Sequence, residues 1–235
     1  MGTTSNDSLF NVYRSEWKFY INKAEYYYLR DILKNIMTLD PNMGERGEYY
    51  IRSLYFDSAD NIDYTTKVMG LERRKKIRLR IYGCDDRKVK LEVKNRYNSY
   101  MLKESLVITK EDAQEIIKGN FDVLMKYDKP VAMKVKNIME TGYYTPKVIV
   151  DYEREAFIYP EHNVRVTFDK NVRAITSDEL FSDELGAVPL VRDPVTILEV
   201  KYDQMLPEYI RDAISSAGLL KSSISKYCMA REMLG

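Results

Sequence analysis

The sequence predicts an α+β domain built on one large, mostly antiparallel sheet. Three observations lead to this prediction. Stretches that alternate apolar and polar residues recur along the whole chain and outnumber the helical stretches. Short turn-rich segments join several of them, as in antiparallel hairpins. No low-complexity linker or fixed-period repeat divides the chain, so we expect a flexible segment over residues 1–12 and a single domain over residues 13–235.

Caps and alternation define the elements in the N-terminal half. Residues 13–21 and 49–57 are rich in aromatic and β-branched residues, which favours strands. Between them, Asn22 with Glu25 three residues later predicts a capping box and a helix. A short helix is expected within residues 60–70. Alternation then predicts three strands: "KIRLRIYG" (76–83), "VKLEVK" (89–94) and "MLKESLVI" (101–108).

The C-terminal half follows the same rules. Thr109 with Asp112 three residues later caps a short helix, and Pro130 interrupts a helical pattern over residues 123–140. The remaining predicted strands cover residues 147–157, 164–174 and 195–202, of which the first two form a hairpin. The last two predicted helices cover residues 207–217 and 222–234.

The charge balance excludes some classes of function. The 37 lysines and arginines nearly cancel the 36 aspartates and glutamates, for a formal net charge of +1. A general binder of nucleic acid or of anionic membranes has a larger basic excess, so we expect no nucleic-acid partner and only a local basic site. No apolar run is long enough to span a bilayer. The two cysteines form neither a metal motif nor a disulfide framework, which makes the cytoplasm the expected location.

Several familiar catalytic motifs are missing from the sequence. The single histidine, His162, lies in a turn-like stretch, which excludes a metal cluster built on histidines. There is no glycine-rich phosphate loop, no dinucleotide-binding glycine fingerprint and no serine nucleophile elbow. A nucleotide would therefore be held without these glycine cradles.

Lysine and arginine dominate the polar faces of the predicted strands. The charged residues on these faces are Glu16, Lys18, Arg52, Arg78, Arg80, Lys90, Glu92, Lys94, Lys103, Arg154, Arg165, Glu199 and Lys201. A single antiparallel strand commonly exposes such a face to water, and for each strand alone that interpretation stays open. As a set, cations that point the same way destabilise a sheet unless an anion or a carboxylate offsets them. Convergence on a polyanion is the alternative interpretation.

A basic interior would suit a chain of phosphates. If the sheet closes into a barrel, alternation turns one face inward and leaves the apolar face to be covered by helices. Arginine then supplies bidentate contacts to phosphate, and lysine supplies point charges. The isolated glutamates, Glu199 above all, with Glu16 and Glu92, are candidate ligands for a phosphate-bound Mg²⁺ or Mn²⁺, because these cations prefer oxygen.

Several stretches, in this order, resemble one family. "RSEWKF", "KIRLRIYG", "KLEVKNR", "VIVDYEREAF", "ILEVKYD" and "SSISKY" resemble the VTC domain, the polyphosphate polymerase branch of the triphosphate tunnel metalloenzymes, which are related to CYTH domains. The resemblance implies a closed antiparallel β-barrel tunnel of about eight strands, with charged faces inward and helices packed outside. It also implies metal-dependent transfer of the γ-phosphate of ATP to a growing polyphosphate chain, with release of ADP.

The resemblance also assigns roles to positions. Its phosphate path comprises Arg78, Arg80, Lys94, Arg154 and Arg165 as catalytic cations. The expected substrate-binding cations are Lys18, Lys103, Lys221 and Lys226, to which the strand faces add Arg52, Lys90 and Lys201. Glu199 in "ILEVK" matches the family's metal-binding glutamate. Arg14 stands where triphosphatases and cyclases of this fold have the first glutamate of Glu-x-Glu-x-Lys, and this departure favours the polymerase branch.

The sequence therefore predicts a polyphosphate polymerase that uses Mn²⁺ or Mg²⁺ and acts on ATP and on polyphosphate or pyrophosphate. Two alternatives remain: a tripolyphosphatase or nucleoside triphosphatase, and a polyphosphate-binding module without catalysis. The chain has no segment that would thread a product across a bilayer, so translocation is expected from a membrane-bound partner. The metal, the preferred base, the acceptor and the oligomeric state are left open.

Overall fold

The structure is a computed structural model that describes residues 14–44, 46–84, 87–98 and 100–234. The segment over residues 1–12, expected to be flexible, lies outside the described residues. The strands are β1 (Arg14–Ile21), β2 (Thr38–Leu39), β3 (Tyr49–Asp57), β4 (Arg73–Ile81), β5 (Lys88–Tyr97), β6 (Tyr100–Thr109), β7 (Thr145–Tyr159), β8 (Val164–Ile175), β9 (Val188–Pro189) and β10 (Thr196–Asp203). The helices are α1 (Lys23–Ile36), α2 (Ile62–Val68), α3 (Lys110–Ile117), α4 (Pro130–Thr141), α5 (Glu208–Ser215) and α6 (Lys226–Leu234), with 3₁₀ turns at Phe121–Lys126 and Glu161–Asn163.

Local signals determine where several helices begin. The Asn22 side chain accepts a hydrogen bond from the Glu25 backbone N–H at 3.0 Å, and the Asn22 N–H donates to the Glu25 carboxylate at 2.7 Å. These two bonds confirm the capping box predicted for α1. Thr109 caps α3 by accepting from the Asp112 N–H at 3.1 Å. Pro130 separates a 3₁₀ turn from α4, in agreement with the predicted break.

The main strands pair antiparallel in the order β1-β10-β8-β7-β3-β4-β5-β6, with β2 added to β7 and β9 to β8. The prediction of an α+β fold with a large antiparallel sheet is confirmed, and so is the hairpin of β7 and β8. A closed barrel is not confirmed, because β1 and β6 end the order and form no ladder with each other in the described residues. Alternation decides which face turns inward, but it does not specify whether the last two strands pair.

Helices cover the apolar face of the sheet. Leu79 of β4 belongs to a core cluster that includes Val135 of α4, and Phe168 of β8 belongs to a second cluster that includes Leu33 of α1. A third cluster, which contains Tyr55 of β3 and Tyr227 of α6, lies on the opposite, charged face, because Tyr55 is the cross-strand partner of Arg78 and accepts a hydrogen bond from it. The first two clusters thus bury the apolar face against helices, and the charged face, with α6 against part of it, lines a concave interior. Within the described ranges, no helix has the length and apolar character needed to cross a membrane.

Candidate active site

The charged faces of the strands enclose a cavity of about 320 Å³. Among the described residues, twelve lysines and arginines line it, together with two carboxylates. The lining cations are Lys18, Lys67, Arg74, Lys75, Lys76, Arg78, Arg80, Lys94, Arg96, Arg154, Lys201 and Lys226. The two carboxylates are Glu16 and Glu199, and the other polar lining residues are Tyr55, Tyr152, Ser222, Ser223, Ser225 and Tyr227. This excess of positive charge attracts an anion with several negative charges.

One wall of the cavity, formed by β4, β5 and β6, places cations opposite cations. Arg74 is the cross-strand partner of Arg96, and Lys76 is the partner of Lys94. Lys94 in turn lies opposite Lys103 on β6. Like charges directly opposite each other destabilise a sheet, so these rows favour the binding of an anion between them and the facing wall.

Glu92 holds the arginines of this cationic wall. It accepts a hydrogen bond from Arg78 Nε at 2.7 Å, lies 3.9 Å from Arg80 Nη1 and forms an ion pair with Lys103. Burial alone would raise the pKa of Glu92, but Arg78, Arg80 and Lys103 together lower it well below its ordinary value. Glu92 lies outside the cavity lining. The structure therefore places Glu92 as a counterion of the arginines, and its role as a metal ligand stays a prediction.

Hydroxyl groups hold the same two arginines from the neighbouring strands. Arg78 Nη1 donates to Tyr55 Oη at 2.9 Å, and Arg80 donates to Ser53 Oγ at 3.1 Å and to Tyr152 Oη at 3.3 Å. Burial would raise the pKa of Tyr55, but the positive charges of Arg78, Arg80 and Lys76 lower it to about 8. The two guanidinium groups are thus oriented before a ligand binds, which reduces the entropy lost when they bind phosphate.

The facing wall, formed by β1 and β10, pairs opposite charges. Lys18 lies opposite Glu199, and Glu16 lies opposite Lys201. Lys18 Nζ is 3.2 Å from Glu199 Oε1 and 3.6 Å from Glu16 Oε1, and Lys201 Nζ is 2.5 Å from Glu199 Oε2. Burial would raise the pKa of Glu199, but Lys201 and Lys18 lower it well below its ordinary value. Glu199 therefore stays ionised inside the cavity.

Glu16 and Glu199 are the lining residues that suit a divalent cation. Mg²⁺ prefers hard oxygen ligands and is usually held by one or two carboxylates together with phosphate oxygens and water. The two glutamates lie on adjacent strands, and Lys18 contacts both of them. In the part of the chain that the structure describes, no group of three histidines, cysteines or acidic residues could hold a metal. This donor set fits a cation that arrives with its phosphate ligand.

Asp169 organises the side of the cavity near the C-terminal helix. Arg154 donates to both of its carboxylate oxygens, at 2.6 and 2.7 Å, and Lys226 Nζ lies 2.5 Å from Oδ2. Arg154 Nη2 also lies 3.5 Å from Glu199 Oε2. Sequence reasoning missed Asp169, although its spacing of two residues from Thr167 places it on the charged face of β8. Asp169 thus connects Lys226, the first residue of α6, through Arg154 to Glu199 on the facing wall.

The structure brings most of the predicted site residues together. Those that line the cavity are Lys18, Arg78, Arg80, Lys94, Arg154, Lys201, Lys226, Glu16 and Glu199. Three predicted cations lie outside the lining and contact other groups: Lys90 contacts Tyr82 Oη, Lys103 contacts Glu92, and Arg165 contacts Asp40 and Tyr49.

Two predicted ligands lie on the other face of the sheet. Arg52 is buried beside Asp151, with Nη2 3.2 Å from Oδ2, because its neighbour Ser53 occupies the charged face of β3. Most of β3 is buried on both faces, so its sequence has no exposed side to set the phase of the alternation. Lys221 lies over Trp17, with Nζ 3.5 Å from the ring centroid. Neither side chain lines the cavity, so their binding of substrate stays a prediction that this geometry does not favour.

Five lining cations were missed by sequence reasoning: Lys67, Lys75, Arg74, Lys76 and Arg96. Arg74 and Lys76 continue the alternation of Arg78 towards the start of β4, so the period of two contained a signal for them. Arg96 does the same on β5, two residues after Lys94. Lys67 comes from α2, and only the tertiary structure brings it to the cavity.

A large antiparallel sheet whose charged face encloses a basic cavity defines the class of this protein as an α+β protein with a strongly basic cavity. The model of the family described as the VTC domain matches residues 13–234, and the chain belongs to this family. A curated relative, vacuolar transporter chaperone complex subunit 4 from Schizosaccharomyces pombe, is 25% identical over 230 residues, covering 79% of this chain and 32% of the relative. The chain thus spans about a third of that relative's length. The predicted family membership is confirmed.

Solved structures share this fold at low sequence identity. A putative adenylyl cyclase from Hippeastrum, described as having a dominant triphosphatase activity, has a TM-score of 0.58 at 15% identity over 93% of this chain and 95% of the other. A putative adenylate cyclase from Bacillus halodurans has a TM-score of 0.53 at 9% identity, over 91% and 95% of the two chains. One from Vibrio parahaemolyticus has a TM-score of 0.52 at 12% identity, over 94% and 99%. At these identities the likeness shows a common fold.

Proposed function

We propose that this chain is a polyphosphate polymerase that transfers the γ-phosphate of ATP to the end of a polyphosphate chain inside the cavity. The observation that supports this function best is the lining of twelve cations and two carboxylates. Such a lining exceeds what a single phosphate needs and matches a ligand with several adjacent phosphates. Membership of the VTC domain family supports the same activity, since the sequence resemblance points to the polymerase branch.

The proposed reaction depends on alignment and charge neutralisation. An oxygen of the terminal phosphate attacks the γ-phosphorus, the bond from that phosphorus to the oxygen bridging it to the β-phosphate breaks, and ADP leaves with that oxygen. The attacking oxygen is already anionic, so no protein base has to remove a proton. Arg78 and Arg80 are oriented to bind the oxygens on which charge is spread. A divalent cation held by Glu16 and Glu199 would add further neutralisation of the phosphates.

Incubation of the purified protein with ATP and Mn²⁺ tests this proposal. We expect an acid-labile polyphosphate ladder on a gel and an equivalent amount of ADP. Orthophosphate as the sole phosphate product, even with pyrophosphate supplied as primer, would contradict the polymerase and indicate a triphosphatase. Tight binding of polyphosphate without any turnover would indicate a binding module.

We also propose that this domain works within a larger assembly on the cytoplasmic side of a membrane. The fission-yeast relative is a subunit of a vacuolar transporter chaperone complex, and this chain corresponds to 32% of its length. A partner that spans the membrane would then accept the polyphosphate. Affinity purification from detergent-solubilised cells tests this: we expect a membrane protein to co-purify, and recovery of the chain alone would contradict it.

A further inference from the structure

A second cavity, of about 320 Å³, lies on the face of the sheet opposite the basic cavity. The two cavities share no lining residue. Ser53 and Tyr152 hold Arg80 on the inner face, whereas their chain neighbours Arg52 and Asp151 line the second cavity. We call it the outer cavity, and its charged lining residues are Arg52, Asp151, Arg173 and Asp183.

An ionic row crosses the outer cavity on a face that is otherwise apolar. Arg52 of β3 is the cross-strand partner of Asp151 of β7, and Asp151 is the partner of Arg173 of β8. The residues two positions away on these strands belong to the apolar core: Leu54, Ile149 and Ile175. Ionised groups on a buried face seldom add to the free energy of unfolding, so stability alone does not explain this row.

Asp151 fixes the arginines of this row before any ligand binds. It accepts hydrogen bonds from Tyr50 Oη at 2.5 Å, from Arg52 Nη2 at 3.2 Å and from Arg173 Nε at 2.9 Å. Arg52 also donates to Tyr50 Oη at 2.9 Å and to the backbone oxygen of Ser182, in the segment that forms the outer wall of the cavity. The cavity is therefore preformed, and the carboxylate of Asp151 is already engaged by three donors.

Two charged groups of opposite sign are left to receive a ligand. The terminal nitrogens Nη1 and Nη2 of Arg173 make no hydrogen bond to any group in the described ranges, and its side chain is 37% exposed. Such a guanidinium fork suits a carboxylate or phosphate group, which accepts two N–H bonds at once. Asp183 lines the same cavity, and no lysine or arginine of the described chain forms an ion pair with it.

The charge balance separates this cavity from the basic one. Two arginines and two aspartates line the outer cavity, whereas twelve cations and two carboxylates line the basic cavity. A polyanion is therefore attracted to the basic cavity. A lining of balanced charge, with one guanidinium and one carboxylate available, is complementary to a molecule that carries both signs.

We propose that the outer cavity binds a compact zwitterion, in which a short carbon spacer joins an oxyanion to an ammonium group. The oxyanion binds Arg173 and the ammonium group binds Asp183. Leu185 and Ala187 supply apolar lining for the spacer. Amino acids and aminoalkyl phosphates share this chemistry. The site is separate from the reaction proposed for the basic cavity and does not depend on it.

Labelling of Cys84 gives a readout that is specific to the outer cavity. Cys84 lines this cavity and is partly exposed, whereas the other cysteine, Cys228, is buried. Burial raises the pKa of Cys84 to about 11, so its reaction with methyl methanethiosulfonate at about pH 8 is slow enough to time. Mass spectrometry of the peptide that contains Cys84 measures the rate, and a molecule bound beside the thiol lowers it.

We expect phosphoethanolamine and β-alanine, each at about 10 mM, to slow this labelling at least about threefold, as for a dissociation constant of about 5 mM or less. Inorganic phosphate supplies the anion alone and ethanolamine the ammonium group alone. These two fragments, and tripolyphosphate, should change the rate by less than about 1.5-fold at the same concentration and ionic strength.

Matched variants assign the effect to the cavity. Arg173→Gln removes the contact to the oxyanion and should abolish protection by both zwitterions. Its control is Arg211→Gln, which removes an exposed arginine of α5 that pairs with Glu208, and protection should persist there. Ala187→Phe fills the cavity without removing a charge and should also abolish protection, which covers the case in which Arg173→Gln fails to fold.

Three results would overturn the zwitterion site. The first is equal labelling rates of the wild-type protein with and without both zwitterions. The second is protection by inorganic phosphate or tripolyphosphate as strong as that by the zwitterions, which would indicate a plain anion site. The third is protection that persists in Arg173→Gln or in Ala187→Phe, which would place the probes elsewhere. None of these measurements depends on turnover of ATP, so failure of the proposed polymerase would leave them unchanged.

Discussion

Lys94 on β5 reaches Glu16 on β1, with Nζ 3.6 Å from Oε2, although these strands lie near opposite ends of the strand order. No ladder joins β1 to β6 in the residues that the structure describes. A side-chain contact therefore bridges the two walls of the cavity. Through this contact, Lys94 of the cationic wall (β4, β5 and β6) pairs with Glu16 of the facing wall (β1 and β10).

We expect Glu199→Gln to abolish metal-dependent turnover while polyphosphate binding persists. The amide keeps the shape of the side chain beside Lys18 and Lys201 but removes the charge that a divalent cation requires. Loss of one electrostatic element at a reaction centre typically lowers the rate by about 10²–10³-fold. Electron paramagnetic resonance of Mn²⁺ with tripolyphosphate reports the metal directly. The matched variant Glu92→Gln should still bind Mn²⁺, and equal Mn²⁺ binding by wild type and Glu199→Gln would contradict the metal assignment.

Arg78→Lys is expected to lower the rate of turnover by about 10²-fold or more. A lysine lacks the planar fork that lets Arg78 contact Glu92 and Tyr55 together and still face a phosphate. Steady-state kinetics with ATP measures kcat and KM. The control is Arg73→Lys on the same strand, because Arg73 stacks on Tyr97 and does not line the cavity. Similar losses in the two variants would show that the effect is not specific to the cavity.

We expect Asp57→Asn to weaken the attachment of α6 to the rest of the fold. The Asp57 carboxylate accepts hydrogen bonds from the backbone N–H groups of Asp63 and Tyr64, each at 2.9 Å, and from Tyr227 Oη of α6 at 2.5 Å. Replacement of a buried acceptor of this kind lowers the free energy of unfolding by about 1–3 kcal/mol. Hydrogen exchange should speed up in α6 and α2. Asp60→Asn, at an exposed position in the same loop, is the control, and unchanged exchange in α6 would refute this role.

The affinity for tripolyphosphate should fall between about pH 7 and about pH 9. Burial lowers the pKa of Lys76 to about 8, and the charges of Lys18 and Lys67 oppose its protonation as well. Above that pH, Lys76 loses the charge that attracts the ligand. The pKa of Tyr55 is also about 8, so this phenol adds a negative charge to the cavity over the same range. Calorimetric titration across this range measures the fall.

Lys76 and Tyr55 also affect the free energy of unfolding of the ligand-free protein, which should rise with pH whereas the affinity for tripolyphosphate falls. Both pKa values lie below those of the unfolded chain, so the unfolded chain binds more protons between about pH 8 and about pH 10. The free energy of unfolding should therefore rise with pH in that range.

In Lys76→Arg the cation persists at all these pH values, so the affinity for tripolyphosphate should fall less steeply with pH than in wild type. Equal slopes of affinity against pH in wild type and Lys76→Arg would refute the role of Lys76. Titration of the ligand itself affects both proteins equally, so it cancels in this comparison.

Alternation predicted much of the site because its period is a property of the strand itself. Arg78 and Arg80 lie on the inner face of β4 as their spacing requires, and Lys18 does so on β1. The same rule, continued from Arg78 by two and then by four residues towards the start of β4, would have found Lys76 and Arg74. The start of β4 obscures this signal, because every residue from Arg73 to Lys76 is charged and no apolar residue shows which positions face the core.

Other features depend on tertiary structure and could not be predicted from the sequence. Arg52 lies on a strand buried on both faces, so no polar side defines its orientation. Lys67 reaches the cavity from a helix, and the pairing of Arg154 with Asp169 depends on the register of β7 and β8. Closure of the sheet depends on its two outermost strands, and the charge pattern of neither one specifies it.

The rows of facing cations make the free energy of unfolding of this domain depend on the anions available to bind it. Arg74 against Arg96 and Lys76 against Lys94 raise the free energy of the folded state when no anion is present. A ligand that binds the folded state alone stabilises it by about 2.7 kcal/mol at one hundred times its dissociation constant. For the polymerase proposed above, polyphosphate is then a structural component of the folded domain as well as the product of its reaction. The abundance of the domain in a cell should therefore rise and fall with the size of the phosphate store.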